Sequence, residues 1–179
     1  MIFNNEFGWS EIISFLSFIV VLIGAIFTIY QWRKSSTLKR ADYINDLTEK
    51  IRTDTDIRDI IYLIDYGDPC NPWYNSYFHN SGELERKVDK TLSYFSYICY
   101  LKRKKIISDD EFMFFRYEVE RILINRQVKE YFFNLYHFAN KFGNPFTFVY
   151  LFEYGKDMKI YEDEFYNKNS KNYHHYLNF

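Results

Sequence analysis

The sequence predicts an all-α protein, with one N-terminal transmembrane helix followed by a cytoplasmic helical bundle. Three observations predict it. Residues 12–30 form an uncharged, strongly apolar run. After that run, apolar residues recur at three- and four-residue steps, the period of a helix with one buried face. The chain has only 6 Gly and 3 Pro, so it has few strong breaks, and no Asn-Gly or Asp-Gly hairpin signal appears.

Length justifies the anchor. At about 1.5 Å of rise per residue, ~20 apolar residues cross the ~30 Å hydrocarbon core of a bilayer. Trp9 and Trp32 bracket the run, where amphipathic rings favour the headgroup level. The leader, residues 1–11, carries Glu6 and Glu11 and no Lys or Arg. The run closes on Tyr30-Gln31-Trp32-Arg33-Lys34, a stop-transfer pattern rather than a small-residue cleavage site. Residues 12–32 are therefore expected to be a retained anchor and not a signal peptide. Arg33, Lys34, Lys39 and Arg40 follow the span and nothing basic precedes it. The positive-inside rule then places the N-terminus outside and residues 33–179 in the cytoplasm. The 2 cysteines, Cys70 and Cys99, suit a reducing compartment and lack metal or redox spacing, so they read as small buried apolar residues.

Small and polar residues in the span are not scattered. Ser10, Ser14, Ser17, Val21, Gly24 and Thr28 follow a four-three alternation, a heptad seam along one face. Lipid tails give helices no hydrophobic reason to associate, so membrane helices pair through small side chains and hydroxyl hydrogen bonds. The seam Ser14, Ser17, Val21, Gly24 and Thr28 is the expected self-association and channel face. The alternative is that the hydroxyls bond back to carbonyls of their own helix. No charged residue lies in the span, so no charged ring is encoded there.

The cytoplasmic domain is expected over residues 33–158. Leu38, Ala41, Ile44, Leu47 and Ile51 keep helical spacing, continued by Ile57, Ile60, Ile61 and Ile64. The Thr53-Asp54-Thr55-Asp56 stretch either interrupts this helix or merely decorates it. A loop follows over 67–82, rich in Gly, Pro and Asn. The next helix runs from Glu83 to Leu101, with Leu84, Val88, Leu92, Phe95 and Ile98 facing inward. Its basic end, Lys102-Arg103-Lys104-Lys105, suits a helix C-terminus and also suits contact with anionic lipid or RNA. Ser108-Asp109-Asp110-Glu111 is a capping box and makes a helical hairpin. The third helix carries Phe112, Phe115, Val119, Ile122 and Leu123, then Val128, Phe132 and Leu135, and ends at Gly143-Asn144-Pro145. A short helix over 146–154 closes the domain. Residues 159–179 read as a loose polar tail or an arm for a neighbouring subunit.

Chemistry is sparse. The charge is nearly balanced at −1, so electrostatics alone does not point to nucleic acid. No phosphate loop, metal-binding Cys or His spacing, or nucleophile elbow appears, so neither cofactor nor metal is expected. Arg121, Arg126 and His137 are the polar residues worth locating. They read most simply as helix-surface charges and a structural histidine, with a buried Arg–carboxylate pair as the alternative.

Gln31-Trp32-Arg33, Leu38-Lys39-Arg40-Ala41-Asp42-Tyr43, Tyr100-Leu101-Lys102, Ile106-Ile107-Ser108 and Arg121-Ile122-Leu123-Ile124-Asn125-Arg126 follow the anchor in an order that resembles a known family. It is that of the small membrane-anchored accessory proteins of type VI-B CRISPR systems, encoded beside an RNA-guided RNA nuclease. The resemblance implies a divergent HEPN-like helical domain in a bacterial inner membrane. It also implies a homo-oligomeric pore, of six or more copies, that depolarises the membrane during antiphage defence. One departure matters. HEPN ribonucleases carry Arg, four to six residues, then His, which brings a cation and a proton-transfer group to one helix face. None of the 4 histidines here, His79, His137, His174 or His175, has an Arg at that distance upstream. The expectation is a non-enzymatic pore. A membrane-tethered ribonuclease and a passive tether that recruits a defence partner are the alternatives.

Overall fold

A computed structural model describes residues 8–67, 73–74 and 82–167. The first seven residues of the leader, Cys70, His79, His174, His175 and residues 168–179 of the tail lie outside the described residues. Among the described residues the protein is all-α, with six helices, one 3-10 turn and no strand. The chain divides into two units, Met1–Leu47 and Thr48–Phe179.

Helix α1 (Trp9–Thr53) opens the chain as one unbroken helix. Glu11 caps its start, its carboxylate accepting the Gly8 N–H at 3.3 Å. The helix is long and apolar enough to cross a membrane. Every residue from 9 to 42 is exposed, the large apolar side chains included. The buried residues of α1, Ile44 and Leu47, lie beyond this apolar stretch, and an uncovered apolar stretch of this length suits an apolar medium or other chains.

The second unit is built from α2 (Thr55–Tyr66), α3 (Glu83–Arg103), α4 (Asp109–Ile124), α5 (Arg126–Phe142) and α6 (Val149–Asp157). Asp54 ends α1 and starts α2. Its carboxylate accepts the N–H groups of Asp56 and Ile57, the ordinary N-cap geometry, so the Thr-Asp-Thr-Asp stretch interrupts the helix. Lys90 of α3 reaches the same cap, with Nζ 2.9 Å from Asp54 and 2.8 Å from Asp56.

Helix α3 packs against α2, α4 and α6. Val88, Leu92, Phe95, Ile98 and Leu101 are buried along it, as the helical period requires. Leu84, placed on the inward face by sequence spacing, is instead 36% exposed, in the first turn of α3. The capping box at Ser108 forms as expected. Its hydroxyl accepts the Glu111 N–H at 3.2 Å, and Glu111 accepts the Ser108 N–H at 2.6 Å.

The single helix expected from 109 to 142 is in fact two. Asn125 breaks it, with φ −61° and ψ 129°. Its Oδ1 caps α5 through Gln127 and Val128 N–H, and its Nδ2 donates to the Ile64 carbonyl of α2 at 3.3 Å. An Asn side chain that satisfies both a helix start and a neighbouring helix end outweighs one more turn of α-helix. The closing helix also sits three residues later than its expected start and end, at Val149–Asp157.

Aromatic rings fill the far side of the core. Phe132 stacks on Phe148 at 5.8 Å and meets Phe146 edge-on at 5.7 Å. Tyr161 stacks on Phe152 at 4.9 Å, and Phe165 lies 4.7 Å from Tyr161. The 3-10 turn Asp163–Tyr166 thus packs on the domain. The segment read as the beginning of a loose tail is held at its start, with Tyr161 buried and Phe165 packed against Phe152.

Candidate functional site

Two sets of residues are candidates for function, one in each unit. The first is the seam of α1. At about 100° of turn per residue, Ser14, Ser17, Val21, Gly24 and Thr28 fall within an arc of about 80° on the helix wheel. All five are exposed. The Ser14 hydroxyl donates to the Ser10 carbonyl at 2.9 Å, and the Thr28 hydroxyl donates to the Gly24 carbonyl at 2.8 Å. These hydroxyls are thus satisfied by their own helix, the alternative raised from the sequence. A side chain added at Gly24 would meet nothing within 4 Å, so this glycine leaves an open notch on the stripe. Trp9 and Trp32 are 82% and 69% exposed, and Arg33, Lys34, Lys39 and Arg40 are exposed on the same helix.

The second set is Arg121, Arg126 and His137, each committed to a different partner. Arg121 lies near the end of α4. Its guanidinium pairs with Asp65 of α2 and donates to the Tyr117 hydroxyl at 2.6 Å. The Asp65 side chain is only 11% exposed, so this is the largely desolvated Arg–carboxylate pair that the sequence left as an alternative. Glu118 stands beside it. Burial pushes its carboxyl above the usual range, the Asp65 charge adds to this, and Arg121 opposes it. Arg126 instead pairs along α5 with Glu130 at 2.9 Å, on the surface.

His137 is 1% exposed. Its Nε2 donates to the main-chain carbonyl of Phe165 at 2.8 Å, which fixes the tautomer. Phe133 and Tyr136 pack edge-on against the ring. A histidine enclosed by aromatics and bonded to a carbonyl holds the 3-10 turn in place.

Further polar contacts were not legible in the sequence. Gln127 accepts the N–H groups of Trp73 and Tyr74 at 2.8 and 3.2 Å. Asn134 donates to the Tyr74 hydroxyl, and the Tyr131 hydroxyl donates to Asp89. Burial, and then the Asp89 charge, push the Tyr131 hydroxyl well above the ordinary tyrosine range, so it stays a donor. All of these are structural links across the face of α5.

The basic end of α3 lies against α6. Lys102 Nζ sits 5.0 Å over the Tyr154 ring and 4.5 Å over Phe112. Arg103 lies over Tyr150 and pairs with Glu153. Among the described residues, no group of three or more His, Cys, Asp or Glu side chains is arranged to hold a metal ion. No protein-family model, curated protein or solved structure matches the chain.

Proposed function

We propose that α1 anchors the protein in a bacterial inner membrane, with its N-terminus outside and the helical unit in the cytoplasm. Copies of the chain assemble through the Ser14, Ser17, Val21, Gly24 and Thr28 face into a pore of six or more subunits. Opening of that pore depolarises the membrane and strengthens antiphage defence begun by an RNA-guided RNA nuclease. The observation that carries this reading is the uncovered α1 face. Its apolar sides suit lipid, and its small-residue stripe, notched at Gly24, suits close approach of another helix. The resemblance to type VI-B accessory proteins supplies the link to defence and the reading of the helical unit as a divergent HEPN-like domain. The enclosure of His137 supports a non-enzymatic role.

Native mass spectrometry of the detergent-solubilised full-length protein tests the assembly, and single-channel recording in planar bilayers tests conduction. A single multimer of six or more copies with measurable conductance is the expected result. A monomer or dimer overturns it. Gly24→Leu adds a sharper test. Because the notch is open in the single chain, the substitution strains nothing within it, and any loss of assembly reports on a neighbouring copy.

One observation favours a second reading, a passive tether. Ser14 and Thr28 already spend their hydroxyl protons on their own helix. A tether keeps its function when an unrelated anchor replaces residues 1–32, whereas a pore loses it.

A further inference from the structure

Three helices of the second unit end on a residue in the left-handed region. At the end of α5, Gly143 adopts φ 68° and the Asn144 N–H reaches back to the Ala139 carbonyl. At the end of α3, Lys105 takes that left-handed position with φ 55°. The Ile106 N–H bonds to the Leu101 carbonyl at 2.9 Å, and the Lys105 N–H bonds to the Lys102 carbonyl at 2.9 Å. At the end of α6, Lys159 takes it with φ 57°. The Ile160 N–H bonds to the Gly155 carbonyl at 3.0 Å, and the Lys159 N–H bonds to the Lys156 carbonyl at 2.9 Å. Glycine is the ordinary residue at this position because a Cβ crowds the following carbonyl. Lysine stands there twice, at the ends of two helices that pack together.

Those two ends share a cavity of about 510 Å³, whose lining includes the basic Lys102, Arg103 and Lys156 and the acidic Glu153 and Asp157. Lys102 is paired with Asp109 at 3.5 Å, and Arg103 with Glu153. Beyond them, Lys104, Lys105 and Lys159 are exposed and have no acidic partner among the described residues. Each turn also carries an exposed apolar side chain beside its lysines, Ile106 at 49% and Met158 at 38%.

We infer that this end of the helical unit docks on an anionic bilayer surface, the two lysine turns meeting lipid phosphates while Ile106 and Met158 enter the headgroup boundary. The inference rests on the reading of α1 as a membrane anchor, which keeps the helical unit close to a bilayer. Lysines beside apolar tips are the composition of an interfacial contact, in which charge and apolar burial act together. Single-stranded RNA fits less well. Recognition of its bases needs open aromatic faces and arginine planes, and here Tyr150 and Tyr154 are already covered by Arg103 and Lys102. Lysine is a compact point charge suited to a headgroup phosphate.

The test uses full-length protein in the Cys70→Ser background with an environment-sensitive dye at Ile106→Cys, the dye taking the place of the isoleucine. Cys99 is 3% exposed and burial pushes its thiol up to about 12, and labelling of the Cys70→Ser parent sets the background from it. The protein is placed in nanodiscs of phosphatidylcholine, alone or with one-third phosphatidylglycerol. Dye emission is expected to rise several-fold and shift to the blue only in the anionic discs. Replacing Lys104, Lys105 and Lys159 by Gln weakens docking roughly fivefold per lysine. Added salt weakens it further. Equal emission in both kinds of disc, or a triple variant that behaves as the parent, overturns the docking while leaving the anchor intact. Emission that rises in neutral discs only when single-stranded RNA is added assigns the cluster to nucleic acid and overturns it too. Failure of the chain to enter discs at all removes the anchor, and the docking with it.

Discussion

His137 on α5 and Phe165 in the 3-10 turn are joined by a 2.8 Å hydrogen bond from ring nitrogen to main-chain carbonyl, twenty-eight residues apart in sequence. The bond explains how a Tyr- and Asn-rich segment is held at its start. His137→Ala leaves that carbonyl without its donor and opens a void among Phe133, Tyr136 and Phe165. A loss of about 2–4 kcal/mol is expected. Chemical denaturation in detergent, followed by far-ultraviolet circular dichroism, measures it. Parental stability of the variant would show that the bond to Phe165 does not hold the turn.

Gly155 carries a close approach rather than a turn. An added Cβ would come within 2.7 Å of the Tyr161 hydroxyl and 2.9 Å of its ring. Tyr161 is itself buried against Phe152, so it cannot simply swing away. Gly155→Ala is expected to cost about 1–3 kcal/mol through this overpacking. Tyr161→Ala in the same chain should abolish the additional cost, a coupling that a double-mutant cycle reads directly.

Stability in acid should depend on the cap of α2. Hydrogen bonding to Lys90 is the main reason that the Asp54 and Asp56 carboxyls are held below their usual value of 3.8. A lowered folded value means that the stabilisation is present above 3.8 and is lost as pH falls through the folded value. Lys90→Met should therefore reduce stability at neutral pH and move the acid unfolding midpoint upward. Unfolding scans across acidic pH measure both changes. No change in the midpoint would remove Lys90 from the cap.

Glu118 has the opposite sign. Its carboxyl is raised above the usual 4.5, mainly by burial. It costs nothing while protonated in both states, below that value, and destabilises the fold as pH rises through the raised value. Its Oε2 has no hydrogen-bond partner among the described residues. Glu118→Gln is expected to raise the melting temperature at neutral pH and to leave it unchanged in acid below 4.5. Arg121→Met should lower it at neutral pH, because it leaves Asp65 as an unpaired, largely buried charge.

Lys105 and Lys159 separate stability from function. Relaxing the left-handed position by Lys105→Gly or Lys159→Gly should stabilise the fold by about 1 kcal/mol each. The same substitutions should weaken contact with anionic discs. A stability gain with unchanged lipid contact would show that the lysines serve only to close their helices.

Much of the helical framework was legible because its signals are local. The apolar run of α1, the capping box at Ser108 and the left-handed terminus at Gly143 each need only a few neighbouring residues to form. The break at Asn125 was not legible, because its deciding contact, with the Ile64 carbonyl, comes from 61 residues away. The Arg121–Asp65 and Tyr131–Asp89 pairs were hidden for the same reason. Period shows which face of a helix is apolar but not which polar side chain on the next helix will lie opposite.

The sequence by itself determined the all-α class, an N-terminal helix long and apolar enough for a membrane, and most of the inward faces, because helical periodicity and hydropathy are written along the chain. Only the tertiary structure decided that the Thr-Asp stretch ends a helix, that one long helix is two, and that Tyr161 and Phe165 pack against the rings of α5 and α6. It alone placed His137 under Phe165, paired Arg121 with Asp65, and brought the lysine turns of α3 and α6 to one cavity. Each of those outcomes depends on groups distant in sequence sharing a desolvated space, where an unmatched charge or hydrogen bond costs too much to persist.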